Sequence, residues 1–258
     1  MATVRSAPSG SARPVGTDRP HDVRRPVGWL LIGTTIVNFA AVALLSAVFG
    51  WPAVLSEGPD VALRAFAANQ GLIVLGFYAF TVVSILLVPI SLGLHRLVDP
   101  TGTRAPLLAP TVTAAGVLTA IFQTLGWIRW PFVVPDLAAT YLDPATSDVE
   151  RAATASSYNL INAYAGGALG EHLGWLFQGV WGLGIAILLT RSSLASRGLA
   201  LVGALLTLVW AIPFLLADAV PSFGEGSVAL ASFAAYSLWF FWNAALGVAV
   251  LRRRTATG

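Results

Sequence analysis

An acidic residue and a histidine, Glu171 and His172, stand side by side in a glycine-rich and otherwise apolar stretch of the chain. A carboxylate placed centrally in a membrane helix costs about 2.5–3.5 kcal/mol, so such a group usually faces a partner, water or the headgroups. These residue types suit general acid–base catalysis, in which a carboxylate moves a proton and neighbouring groups steady the charge. They equally suit a structural ion pair between helices. The sequence leaves both interpretations open.

Helical spacing predicts which side chains accompany Glu171. Trp175 and Gln178 follow it at intervals of four and three residues, which is typical of one face of an α-helix. Gly182 continues this face. The pattern predicts that an acid, an aromatic ring and an amide point into the bundle together.

Arg129 is the predicted partner of Glu171. It follows the third long apolar segment, and Glu171 lies near the start of the fourth, so the two side chains should share one depth. The alternative is that the guanidinium extends to the membrane interface between two tryptophans. Asp136 lies close to Arg129 in the sequence and could compete for it.

Two further polar residues are expected at the same end of the bundle, since Asp218 closes the fifth apolar segment and Asn162 precedes the fourth. Together these residues form a hypothetical polar site. Its catalytic candidates are Glu171, Asp218 and His172. Its ligand-binding candidates are Arg129, Gln178, Trp175, Asn162 and Asp136.

Glycines and tryptophans in the apolar segments suggest how the helices pack. Gly166, Gly170 and Gly174 recur at every fourth residue, and such rows let helix backbones approach closely in lipid, so packing is their predicted role.

Aromatic residues cluster away from the interfacial belts, at mid-depth. They belong to the fifth and sixth apolar segments: Trp210, Trp239, Phe240, Phe241 and Trp242. Ordinary core packing is one interpretation, and an apolar cavity for a lipid or isoprenoid tail is the other.

Composition indicates a membrane protein. Hydrophobic residues make up 56% of the 258 residues and charged residues only 10%, against about 25% charged in typical soluble domains. Without cysteine the chain can form neither disulfides nor zinc–sulfur or iron–sulfur sites. It also lacks lysine, so it cannot supply the phosphate-binding lysine of a P-loop. Its three histidines are too far apart in the sequence for a metal-binding motif. No cofactor is expected.

Six apolar segments approach or exceed the roughly 20 helical residues that cross a bilayer. The predicted spans are 27–49, 71–94, 107–127, 169–189, 199–217 and 228–251. The predicted fold is therefore an all-α, polytopic membrane bundle of about six transmembrane helices in one domain, 27–254, after a disordered tail, 1–26. The connection 128–168 is predicted to be an extracytoplasmic loop with a short helix, in which 148–168 either lies on the membrane or extends the fourth span.

Arginine asymmetry predicts the orientation. With the N-terminus inside, twelve of the fifteen arginines lie on the inner side, and only Arg64, Arg129 and Arg151 lie on the outer side. Cytoplasmic loops carry such an excess, so both termini are predicted to be cytoplasmic. The arginines then determine the orientation of the helices and face anionic lipid. Because this accounts for the basic residues, nucleic acid is not an expected partner.

Two motifs resemble an uncharacterised group of multi-spanning bacterial membrane proteins, close to domain of unknown function family 4386. One combines Gln123–Pro131 with Asp136–Ala138, and the other is Gly170–Gly174 followed by Gln178 and Trp181. The resemblance covers most of residues 27–254. It implies a six-helix membrane protein and brings no activity, so no catalytic residue is carried over from it.

Three classes of function remain. The favoured class is a binding, regulatory or accessory membrane subunit with an outer-side polar pocket. The others are an intramembrane enzyme that acts on a lipid or isoprenoid-like substrate with buried carboxylates, and a small transporter. Expected partners are the bilayer and a lipid-like small molecule, and the oligomeric state is open. The expected location is the plasma membrane of an actinobacterium-like, GC-rich bacterium.

Overall fold

The computed structural model describes residues 23–103, 105–217, 219–220, 224 and 226–253. These residues are almost entirely helical, and no strand occurs among them. Most of the predicted tail lies outside this part of the chain, as does the candidate Asp218. The α-helices of the described residues are α1 (Arg24–Phe49), α2 (Pro59–Ala68), α3 (Gln70–Val98), α4 (Leu108–Trp127), α5 (Arg129–Phe132), α6 (Val134–Leu142), α7 (Asp148–Ile161), α8 (Gly174–Arg191), α9 (Arg197–Leu216) and α10 (Gly226–Arg252).

Six helical runs in the described residues are long and apolar enough to cross a membrane, which confirms the predicted bundle. They contain α1, α3, α4, α8, α9 and α10. Many of their large apolar side chains, such as Leu75 and Leu205, are exposed, and a bilayer would cover them. The chain is a multi-spanning helical membrane protein.

The segment 128–168 contains more helix than the single short one predicted. Between α4 and α8 the chain forms α5, α6 and α7, and a π-helix, Asn162–Leu173, joins α7 to α8 without a break. Residues 148–191 thus form one continuous helical run. Ser147 begins α7 as its N-cap, with its side chain accepting a hydrogen bond from the backbone N–H of Glu150 at 3.3 Å.

The spanning helices form a closed ring in chain order. Each packs against the next, from α1 to α3, α4, α8, α9 and α10, and α10 packs against α1. The ring therefore has an interior that all six helices can line, where buried aliphatic and tryptophan side chains form the larger apolar core.

The two ends of the ring differ. At one end, here called the terminal end, Arg24 donates a hydrogen bond to the carbonyl of Arg253 at 3.1 Å, and Arg253 donates to Ser193 in the α8–α9 turn at 2.7 Å. The opposite end, here called the cap end, carries α2, α6 and α7, which pack on one another. Both ends of the helical domain therefore lie on one side, as an even number of spans requires.

The glycine row packs α4 against the π-helix and α8, and this confirms its predicted role. A Cβ atom added to Gly170 would lie 2.9 Å from the Cα of Gly126, and one added to Gly174 would lie 2.8 Å from Cγ of Gln123. Only residues without a side chain allow the two backbones to approach so closely.

Candidate functional site

Three of the predicted site residues line one open pocket at the cap end. Glu171 and His172 end the π-helix, and Trp175 lies in the first turn of α8, where its ring packs against Phe214 of α9 at 4.6 Å between centroids. The pocket has a volume of about 670 Å³. His172 is exposed, whereas Glu171 and Trp175 are half-buried.

Arg129 does not line this pocket and is only 4% exposed. Its guanidinium donates hydrogen bonds to the carbonyl of Gly126 and to Oδ1 of Asn162, the latter at 3.0 Å, and lies 5.2 Å from the centre of the Trp130 ring. Glu171 and Tyr158 act on it electrostatically. The structure thus brings Arg129, Asn162 and Glu171 together. The alternative of an arginine exposed at the interface is wrong.

Asp136 does not belong to this group. It is exposed in the first turn of α6, and it is not among the groups that act electrostatically on Arg129. The N-terminus of a helix stabilises a carboxylate without a cationic partner, so Asp136 has no need of the guanidinium.

Gln178 turns into the ring instead of towards Glu171, and it is only 4% exposed. Its Oε1 accepts hydrogen bonds from Nε2 of Gln123 at 2.7 Å and from the hydroxyl of Tyr236 at 3.2 Å. The predicted common face holds only in part. Trp175 lines the pocket with Glu171 and also hydrogen-bonds to Tyr236, which binds Gln178, whereas Gln178 itself does not line the pocket.

An interior cavity of about 250 Å³ lies beside this network, between α1, α3, α4 and α10. Its walls are largely apolar, with Phe39, Val42, Phe80, Val83, Trp127 and Phe240. Its polar lining includes Asn38, Ser84, Gln123 and Tyr236. Every residue that lines it is uncharged at neutral pH. A second, smaller cavity of about 40 Å³ adjoins it, and the two share Val83, Ser84, Gln123 and Phe240.

The aromatic cluster is mainly core packing and partly cavity wall, while Phe241 is 55% exposed; its role in holding a lipid or isoprenoid tail stays a prediction. Phe240 lines the interior cavity and Trp239 the smaller one. Trp210 is fully buried against Tyr236 and Trp239, and Trp242 donates a hydrogen bond to the carbonyl of Leu199 at 2.8 Å. Most of the cluster is therefore core packing, with one edge open to a cavity.

Sequence reasoning did not identify the polar lining of the interior cavity. Asn38 lies in the middle of the first apolar segment and Ser84 in the second, and neither has a spacing partner. The one available signal was that amides inside a membrane span usually face the bundle interior. By this rule, Asn38 is as good a candidate for the bundle interior as Gln178.

Within the described residues, no group of three or more histidine, aspartate or glutamate side chains is arranged to hold a metal ion. Comparison with known families gives one result: the model of a family described as "Domain of unknown function (DUF4386)" matches residues 27–247. Searches of the curated proteins and of the solved structures found no match.

Proposed function

The chain belongs to the DUF4386 family of proteins, and we propose that it is a membrane-embedded binding protein for a lipid-like small molecule, with the ring interior as its site. The observation that carries this proposal is the interior cavity, which has aromatic and aliphatic walls and a few polar side chains. Binding pockets for small molecules typically combine apolar walls with a few placed polar groups. A regulatory or accessory subunit of a larger assembly would use such a site to sense its ligand.

The position of the carboxylates favours binding over catalysis. Glu171 lies in the cap-end pocket and does not line the interior cavity, which has an uncharged lining. A molecule in the cavity would therefore meet amides and hydroxyls, and a general acid or base must lie within hydrogen-bond reach of the group that it serves.

The packing towards the terminal end favours binding over transport. Buried apolar side chains such as Leu31, Leu94 and Leu246 fill the ring interior there. A transported polar solute would need a continuous polar path, and these side chains interrupt it in the described part of the chain.

Filling the cavity is expected to abolish binding. Val83 lines the cavity, whereas its neighbour Val82 is 47% exposed on the outside of the ring. The probe is 1-bromononane, which quenches tryptophan fluorescence on contact, with the protein in nanodiscs. In the wild type and in Val82→Phe, part of the quenching should saturate as the cavity fills. In Val83→Phe, only the linear part of the quenching, which comes from 1-bromononane dissolved in the lipid, should remain.

A saturable component of unchanged size in folded Val83→Phe would contradict the proposal. Since phenylalanine at this position adds volume to the interior, Ser237→Phe, at another point of the lining, provides a second blocking variant if Val83→Phe does not fold.

We further infer that the cap end faces the outside of the cell, because the excess of arginines lies at the opposite end. The chain has no cysteine, so single cysteines can be labelled without background. Glu57→Cys, in the exposed connection before α2, should react with a membrane-impermeant maleimide in intact cells. Ser193→Cys, at the terminal end, should react only after lysis, and the reverse pattern would overturn the orientation.

A further inference from the structure

The hydrogen-bonding capacity of the interior site is only partly used within the protein, and Asn38 is the clearest case. It lines the cavity and is 9% exposed. Its side-chain amide makes no hydrogen bond to any described residue, although Thr34 and Thr35 on the same helix bond to backbone carbonyls. A buried amide without a partner is costly, so a ligand that supplies one would be stabilised.

The polar side chains of the neighbouring network are occupied by one another. Gln123 donates to Oε1 of Gln178 at 2.7 Å, and the hydroxyl of Tyr236 donates to the same oxygen at 3.2 Å. Tyr236 also has side-chain hydrogen bonds with Trp175 and Gln123. Asn38 therefore stands apart as a neutral amide at the main cavity whose N–H groups and oxygen are unpaired within the described residues.

An unpaired neutral amide in an uncharged cavity favours a neutral ligand that can hydrogen-bond to it. A carboxylate or an ammonium group would be buried without a counter-charge, which is strongly unfavourable. A hydrocarbon would fill the walls but leave the amide of Asn38 unpaired. A carbonyl oxygen can accept a hydrogen bond from the N–H groups of this amide at little cost in desolvation.

Resting on the proposed binding function, we propose that the site takes an uncharged lipophile that carries a carbonyl group, whose oxygen accepts a hydrogen bond from the amide of Asn38. The size is compatible with this class, because an apolar cavity of about 150 Å³ holds a benzene molecule and the present cavity has about 250 Å³. A ketone, an ester or a quinone ring fits this description. A longer tail would continue through the opening of the cavity.

The test compares two probes of equal length, 2-nonanone and nonane, as competitors of 1-bromononane quenching in nanodiscs. In the wild type, 2-nonanone should displace the quencher at a membrane concentration about tenfold lower than nonane, as expected for one additional hydrogen bond. In Asn38→Leu the difference should fall below about twofold, while displacement by nonane is unchanged. The control Ser232→Ala should keep the tenfold difference, because Ser232 lines neither cavity and its hydroxyl bonds to the carbonyl of Val228.

A second readout separates this role from a structural one. Asn38→Leu removes an unpaired amide, so the variant without ligand should melt at a higher temperature than the wild type; a lower melting temperature would indicate that Asn38 has an internal structural role and would overturn the inference. If Asn38→Leu does not fold, Asn38→Ala serves for the probe comparison.

The outcomes distinguish the two levels of the proposal. Saturable quenching with no preference for the ketone would overturn the carbonyl inference and leave the binding function standing. An absence of saturable quenching in the wild type would overturn both.

Discussion

Replacement of Gly170 by valine is expected to prevent stable folding of the protein. A Cβ atom at this position would lie 2.9 Å from the Cα of Gly126 and 3.2 Å from the carbonyl oxygen of Ala165. Both are backbone atoms, which cannot rotate out of the way. Overpacking typically costs about 1–3 kcal/mol where side chains can adjust, so the loss here should reach or exceed the upper value. Monodisperse yield and thermal unfolding in detergent measure it.

The control for this change lies three residues away in the same π-helix. A Cβ atom added to Gly167 meets no atom within 4 Å. Gly167→Ala should therefore fold normally, and it should gain slightly in stability because alanine restricts the unfolded chain. Equal melting temperatures for Gly170→Val and the wild type would show that α4 and the π-helix are not in close contact.

Replacement of Arg129 by methionine is expected to lower the free energy of unfolding by about 3 kcal/mol, because a hydrogen bond to a charged group contributes about 1.5–3 kcal/mol and the buried guanidinium makes two. Methionine keeps most of the length but loses the hydrogen bonds to Gly126 and Asn162. It also removes the positive charge that acts on Glu171. Denaturant or thermal unfolding in mixed micelles measures the difference.

Two comparisons make this result specific. Arg64 forms an exposed ion pair with Asp60 at 2.9 Å, with side chains 64% and 57% exposed, so Arg64→Met should cost at most about 1 kcal/mol. Adding Glu171→Gln to Arg129→Met should recover part of the lost stability, since the carboxylate is then neutral. If the double variant is as unstable as the sum of the two single variants, the two charges are not coupled.

The sequence predicts the spans of this protein well because each is a long apolar run, and the physics of a bilayer depends mainly on such runs. It also predicts that Arg129 lies near enough to Glu171 for their charges to interact, since two consecutive spans place residues at matching depths. In both cases the argument needs only distance along a helix and the thickness of the membrane.

The remaining features depend on contacts between distant segments or on exceptions to regular geometry. Gln178 is left out of the pocket of Glu171 because Gln123 and Tyr236, which lie on other helices, hold its amide. No pattern in the sequence predicts these partners or the π-helix. The interior cavity arises where α1 meets α10 and α3 meets α4. Asn38 gains its significance only from those neighbours, so its own surroundings in the sequence could not reveal it.

Contact between α1 and α10 also has a consequence for biogenesis. The ribosome makes α1 first and α10 last, so the seam between them closes only after the whole domain has entered the bilayer. Thr35 donates a hydrogen bond to the carbonyl of Phe240 at 3.0 Å across that seam. This hydrogen bond cannot form until α10 has been synthesised. Since Phe240 also belongs to the cavity wall, the ring of the nascent chain stays open on this side, and the cavity is completed only when α10 packs against α1.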